Sequence, residues 1–274
     1  MTLLNLFFVA IVQGITEFLP ISSSGHLILI PFLTEWPDQG LLIDVAVHIG
    51  TLGAVLIYFW RDTVGLFLAM FGSLGVSSFK ERIEGTIYIQ LFWTLVLATI
   101  PVVIAGFSLV FFDIIDILRS PEVIGWTSII FGLLLYWVDQ KTPEILNLEK
   151  ITLKRGLVIG LAQILSLIPG TSRAGITMTA ARGLGFSRVV AARFSMLLAI
   201  PTIIAAGFLT TLKLLEEGLE EGQLLDIFYA ASLSFIAALL AIHFLMKWLT
   251  HASMTVFVIY RVILGLGLLM WVYI

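Results

Sequence analysis

The stretch QGITEFLPISSSGH, Gln13 to His26, places a carboxylate, three consecutive hydroxyls and an imidazole inside sequence that is otherwise lipid-soluble. An ionised carboxylate such as Glu17 is costly in hydrocarbon unless it is paired, hydrated or bound to a cation. Gln13 lies one helical turn earlier and shares its face, with Gly14 leaving room beside both. Ser22, Ser23 and Ser24 precede Gly25 and His26, so a helix starting there begins with capping hydroxyls and free N–H groups. A helix start of this kind is a ready anion site.

A second stretch, PGTSRAG from Pro169 to Gly175, repeats the pattern. Gly170, Thr171 and Ser172 stand in for the serines, and Arg173 adds a guanidinium whose fork suits two phosphate oxygens at once. Taken singly, a serine run is capping, an arginine is an interfacial anchor and a histidine packs. Together they suit phosphoryl transfer, in which the protein mainly positions groups and neutralises oxygen charge. Glu17, Ser23, His26 and Arg173 are the expected catalytic residues. Gln13, Ser22, Ser24, Gly170, Thr171, Ser172 and Arg173 are expected to bind phosphate. A hard cation, Mg²⁺ or another divalent ion such as Ca²⁺, would sit on Glu17, with the Gln13 carbonyl as a weaker ligand. The nucleophile is Ser23, His26 or water, and Glu17 would accept the serine proton.

The elements that must carry these residues are membrane helices. The 274-residue chain is 59% hydrophobic and 12% charged, with a mean hydropathy of +1.08, far from the soluble range in which about a quarter of residues are charged. Apolar runs near the roughly 20 residues of a spanning helix fall at 41–60, 87–111, 121–138, 188–212, 224–246 and 254–273. Two further runs, 3–33 and 154–184, are too long for one span and are interrupted by proline, glycine and hydroxyl residues. Each reads as a re-entrant hairpin of two half-helices, broken at Pro20–Ser22 and at Pro169–Ser172. Unwound backbone at that depth must line a pocket or a watery cavity.

The expected fold is therefore an all-α polytopic membrane protein forming a single integral domain, 1–274. It has about six transmembrane helices and two re-entrant hairpins. The first half, 1–140, resembles the second, 150–274: Gly14 and Glu17 align with Gly160 and Gln163, and Pro20 with Pro169 after a three-residue insertion. A hairpin plus three spans in each half is an inverted-topology repeat, which places sites at mid-membrane between discontinuous helices. The similar runs IPVVIAGF and IPTIIAAGF, from Ile100 and Ile200, read as small-residue packing faces.

Basic residues such as Arg61, Lys80, Arg82, Lys154, Arg155 and Arg188 gather in loops on one side, whereas the last loop of the other side carries Glu216, Glu217, Glu220 and Glu221. The basic side is expected to be cytoplasmic in a multi-pass inner-membrane protein, with both termini and the site facing outward. The N-terminal segment lacks the basic region of a cleavable signal peptide and reads as mature sequence. There is no cysteine, so disulfides and thiolate metal sites are excluded, and no basic tract points to nucleic acid.

Two motifs carry a family resemblance. QGITEFLPISSSGH and PGTSRAGITMTAARGLGFSR are similar to the signature motifs of the undecaprenyl-pyrophosphate phosphatases, the bacitracin-resistance proteins, and the HIGTLGAVLIYFWRD stretch from His48 to Asp62 is similar as well. The order of the motifs and the hydropathy pattern agree over essentially the whole chain. The resemblance implies a membrane enzyme that removes one phosphate from the C55 isoprenyl pyrophosphate carrier, recycling it for peptidoglycan and other envelope polymers. It maps the family's acidic motif onto Gln13 and Glu17, its serines and histidine onto Ser22, Ser23 and His26, and its second-motif arginine onto Arg173. Ser24 stands where some relatives have threonine, and Ala174 where many have serine. The partners so implied are the prenyl pyrophosphate lipid and the bilayer, with a homodimer as one possible assembly. The competing function is a polyprenyl-phosphate flippase using the same anion site without hydrolysis, since broken helices are common in secondary transporters. A flippase needs no nucleophile or base. A channel or receptor would need a continuous polar pore or a soluble domain. Asp44, His48 and Arg261 either line the pocket or pair with each other, and stay outside the core assignment.

Overall fold

The computed structural model describes residues 2–34, 36–112, 118–217 and 223–274, without the side chains of 209–217. The acidic run from Glu216 to Glu221 falls outside the described side chains. Among the described residues every regular element is a helix, apart from an isolated bridge between Leu146 and Phe186.

Six helices are long and apolar enough to cross a bilayer: α3 (Gly40–Tyr58), α6 (Tyr88–Phe111), α7 (Pro121–Lys141), α10 (Arg188–Glu217), α11 (Gln223–Leu249) and α12 (Thr255–Tyr273). They fall on the six expected runs, with ends shifted by a few residues. The signals at their starts are local. Ser120 caps α7 by accepting a hydrogen bond from the Val123 N–H, with Pro121 in the first turn, where its missing N–H leaves no gap.

Four short helices build the two hairpins. α1 (Leu3–Thr16) and α2 (Ser23–Thr34) flank the first break, and α8 (Leu153–Gln163) and α9 (Arg173–Gly183) flank the second, where a 3₁₀ turn over Ile164–Leu167 follows α8. At 14 residues or fewer, each arm rises about 20 Å or less, short of the roughly 30 Å hydrocarbon core.

The arms lie against helices from the opposite half of the chain. α1 packs on α11, and α8 on α6. Both crossings need glycine. A Cβ on Gly14 would stand 2.6 Å from the Ser234 carbonyl of α11, and one on Gly160 would stand 2.3 Å from the Ala98 carbonyl of α6. The backbones meet there because no side chain intervenes. α3 packs on α11 and α10, and α7 on α12. A core of alanine and branched residues, including Ala54, Leu91, Ala98, Ala192 and Leu197, fills the middle.

The stretch after Tyr58, expected to be loop, is helical. The chain turns at Phe59 and continues as α4 (Trp60–Ser73), followed by the short α5 (Ser77–Arg82). α4 buries Asp62, Gly65, Ala69 and Gly72 at helical spacing, a small-residue stripe that lets it lie against α5 and the start of α6. Asp62 accepts two hydrogen bonds from the Arg193 guanidinium of α10. Asp139 at the end of α7 pairs with Arg182 of α9 and Arg188 of α10. These pairs tie α4, α7, α9 and α10 together at the basic end of the bundle.

Candidate active site

The two hairpin breaks share one local geometry. In the first, α1 ends at Thr16, the chain turns through Pro20, and Ser22 takes a positive φ of 74°; in the second, Gly170 turns with φ 87° and Ser172 follows with φ 71°. Positive φ is rare for residues with a Cβ and costs about 1–3 kcal/mol, a strain that clusters at functional sites. The Ser22 Oγ accepts from the Gly25 N–H at 3.3 Å, and the Ser172 Oγ accepts from the Gly175 N–H at 3.0 Å. Each serine caps its second arm and offsets part of the strain.

This equivalence corrects the sequence alignment by one residue: Ser22 corresponds to Ser172 rather than to Thr171. Ser23 and Arg173 therefore occupy the same place, the first residue of α2 and of α9. One hairpin delivers a hydroxyl where the other delivers a guanidinium.

Both tips open on a cavity of about 320 Å³. Glu17 is its hub. Its Oε2 accepts from the Ser23 hydroxyl at 2.6 Å and from the Gln13 amide at 2.8 Å, and its Oε1 accepts from Arg173 Nη2 at 2.9 Å. His48 Nε2 lies 3.9 Å from Oε2. The carboxylate is 7% exposed, and the guanidinium offsets what its burial costs.

The expected residues divide by position. Glu17, Ser22, Ser23, Ser24, Ser172 and Arg173 line the cavity. Gln13 is buried and reaches it only through Glu17. Thr171 is buried as well, with its hydroxyl unpartnered. Gly170 shapes the turn: a Cβ there would stand 2.1 Å from the Thr127 hydroxyl.

His26 faces the other way. Its Nδ1 lies 2.6 Å from the Ser22 carbonyl, which can only accept, so Nδ1 carries the proton. Nε2 then accepts from the Tyr260 hydroxyl of α12 at 2.5 Å, with the rings stacked. Both nitrogens are committed, and neither addresses the cavity.

Several lining groups fell outside the core assignment. Asp44 and His48, on one face of α3, line the cavity wall opposite the tips. They do not pair through their side chains: His48 Nδ1 donates to the Asp44 carbonyl oxygen, while the Asp44 carboxylate accepts from Gln39. Their spacing of one helical turn was the legible signal. Thr202, Ile203, Ala206 and Gly207 also line the cavity, so the IPTIIAAGF run serves as a cavity wall rather than only as a packing face. Arg261 lies behind both tips.

A divalent cation fits here in one mode. Among the described residues no group of three His, Cys, Asp or Glu side chains is placed to cage a metal. Two carboxylates, Glu17 and Asp44, nonetheless line the same cavity, which suits an ion held by one or two carboxylates and completed by substrate phosphate. Gln13 does not fit as a ligand, because its Nε2 faces Glu17 and its Oε1 is buried without a partner.

The arrangement holds a hydroxyl, a carboxylate to take its proton and a guanidinium at the junction of two helix N-termini. A sequence model of the family described as Bacitracin resistance protein BacA matches residues 6–267. The chain is 50% identical to an undecaprenyl-diphosphatase of Roseobacter denitrificans over 273 residues, covering 100% of both. It is 49% identical to the protein of that name from Jannaschia sp. over 273 residues, again 100% of both. The corresponding protein of Erythrobacter litoralis is 45% identical over 286 residues, 98% of this chain and 99% of the relative.

Proposed function

The chain belongs to the bacitracin resistance protein BacA family, and from that premise we propose that it is an undecaprenyl-diphosphatase of the membrane, converting undecaprenyl pyrophosphate and water to undecaprenyl phosphate and inorganic phosphate. The product would re-enter envelope polymer synthesis. The observation that carries the reading is the Glu17 carboxylate shared between the Ser23 hydroxyl and the Arg173 guanidinium.

In the proposed reaction the pyrophosphate enters between the two tips and takes Arg173 from Glu17. The guanidinium and the N-terminal N–H groups of α2 and α9 hold the phosphate oxygens. Ser23 Oγ attacks the terminal phosphorus, and its proton passes to Glu17. The P–O bond to undecaprenyl phosphate breaks, and that phosphate leaves with the bridging oxygen. Glu17 gives the serine proton to the departing bridging oxygen, takes one from the water that attacks the phosphoserine, and returns it to the serine oxygen as inorganic phosphate leaves. A bound divalent cation, Mg²⁺ or Ca²⁺, would be held by Glu17 and Asp44 and would neutralise phosphate charge. The prenyl chain leaves along the apolar wall formed by Leu41, Val45, Ile203 and Ala206.

We further place the site at the outer face of the cytoplasmic membrane, with the halves related as an inverted repeat. The cavity is built from the start of α3 and the later part of α10, while Arg182, Arg188 and Arg193 gather at the other end, the cytoplasmic one by the loop-charge rule. The reciprocal packing of α1 on α11 and α8 on α6 supports the repeat.

The test is phosphate release from undecaprenyl pyrophosphate by purified protein in detergent, with and without Mg²⁺, for wild type and Ser23→Ala. Release by wild type that falls at least about 10³-fold in the variant is the expected result. A folded wild type that binds the lipid and releases no phosphate would turn the assignment to the flippase, in which the bond between Ser23 and Glu17 has no task.

A further inference from the structure

Arg261 is fully buried on α12, and its described hydrogen bonds all go to backbone carbonyls. Nε donates to the Ser128 carbonyl at 3.2 Å, and Nη2 to the Thr127 carbonyl at 3.3 Å, both on α7. The other two bonds are the informative ones. Nη1 donates to the Pro20 carbonyl at 3.3 Å, and Nη2 to the Gly170 carbonyl at 3.0 Å. Pro20 and Gly170 each lie two residues before the positive-φ serine of their hairpin. One guanidinium thus grips equivalent points on both tips, from the side away from the cavity.

We propose that Arg261 is a positioning residue that fixes the spacing of the two hairpin tips, holding Ser23 of one in register with Arg173 of the other. The inference rests on the reading of the cavity as the hydrolytic site. Backbone unwound at membrane depth leaves carbonyl acceptors that neither water nor a helix satisfies. A planar fork of five N–H groups can serve carbonyls on both tips and on α7 from one rigid plane; a lysine ammonium on a flexible stem cannot. The neighbouring contacts fit the same task. The Thr127 hydroxyl donates to the Pro169 carbonyl at 2.7 Å, which ties the second tip to α7. Tyr260, next to Arg261, holds His26 just behind the first tip. α7 and α12 are thereby the rigid backing of a site whose reacting groups sit on short, broken helices.

The test uses the full chain with Arg261→Lys and Arg261→Gln, reading kcat and KM for undecaprenyl pyrophosphate, thermal unfolding, and amide hydrogen exchange over 17–26 and 164–176. Misplacing reacting groups by about 1 Å costs on the order of 10²-fold in rate. Arg261→Lys is therefore expected to lower kcat by about that factor, with KM held within about threefold. Exchange should rise at both tips together and stay at the wild-type level in α6 and α11. Unchanged kcat, a KM effect alone, faster exchange at one tip only, or failure of both variants to fold would overturn the proposal. If wild type itself releases no phosphate, the hydrolytic reading fails by that result, and the paired exchange change still decides whether Arg261 couples the tips.

Discussion

Arg173 reaches across 156 residues of sequence to place its Nη2 2.9 Å from Glu17 Oε1. The contact joins the second hairpin tip to the last turn of the first, and each charge is the other's main compensation in an apolar surrounding. In the proposed reaction an entering phosphate gives the guanidinium a second anion to serve and releases Glu17 toward the Ser23 proton.

The pair separates stability from catalysis. Removing one partner strands a buried charge and costs about 3–5 kcal/mol, whereas replacing both by uncharged groups of similar volume is far milder. Arg173→Met alone should lower the unfolding temperature in detergent, and Glu17→Gln with Arg173→Met should recover most of the loss. Activity should stay absent in both. A double variant no more stable than the single one would show that the pair is not what holds the tips together.

His26 should behave as a tether. Asparagine can carry an N–H donor to about the position of Nδ1, so His26→Asn should keep the bond to the Ser22 carbonyl, while His26→Ala loses it. We expect His26→Asn to exceed His26→Ala by at least about tenfold in kcat, the worth of roughly one hydrogen bond at the tip. Equal and complete loss in both would point to proton transfer by the ring.

The strained serines widen the preference of a helix start for glycine over alanine. At Ser172, alanine keeps the unfavourable positive φ and loses the cap to Gly175, whereas glycine loses the cap and relieves the strain. Ser172→Gly should therefore be more stable than Ser172→Ala by about 2 kcal/mol, the ordinary cap difference plus the relieved strain, measured by thermal unfolding. A gap no larger than the roughly 1 kcal/mol by which glycine exceeds alanine at an ordinary helix start would contradict the strained geometry.

Gly207 lines the cavity, and a Cβ added there would meet nothing within 4 Å. A large side chain can fit without disturbing the core and would project into the prenyl path. Gly207→Trp should raise KM for undecaprenyl pyrophosphate by about tenfold or more, the worth of a lost apolar contact, and leave farnesyl pyrophosphate little affected. An equal effect on both chain lengths would move the prenyl path elsewhere.

The sequence by itself determined the membrane class, the six spans and the two breaks, because apolar runs of spanning length and prolines amid hydroxyls are local signals. It also named the polar groups that meet at the tips, since Glu17, Ser23 and Arg173 stand in motifs that need no partner to be recognised. Loop and helix were less legible at α4, whose small buried stripe has meaning only against α5 and α6. Tertiary structure alone decided which polar groups meet. Side-chain direction at a helix break depends on a backbone turn of a single residue, so nothing local says that His26 faces Tyr260 while Ser23 faces Glu17. The register that makes Ser23 and Arg173 equivalent rests on the φ of two serines. The grip of Arg261 on both tips joins positions 20, 170 and 261, a relation that only the packing of α12 behind the hairpins creates.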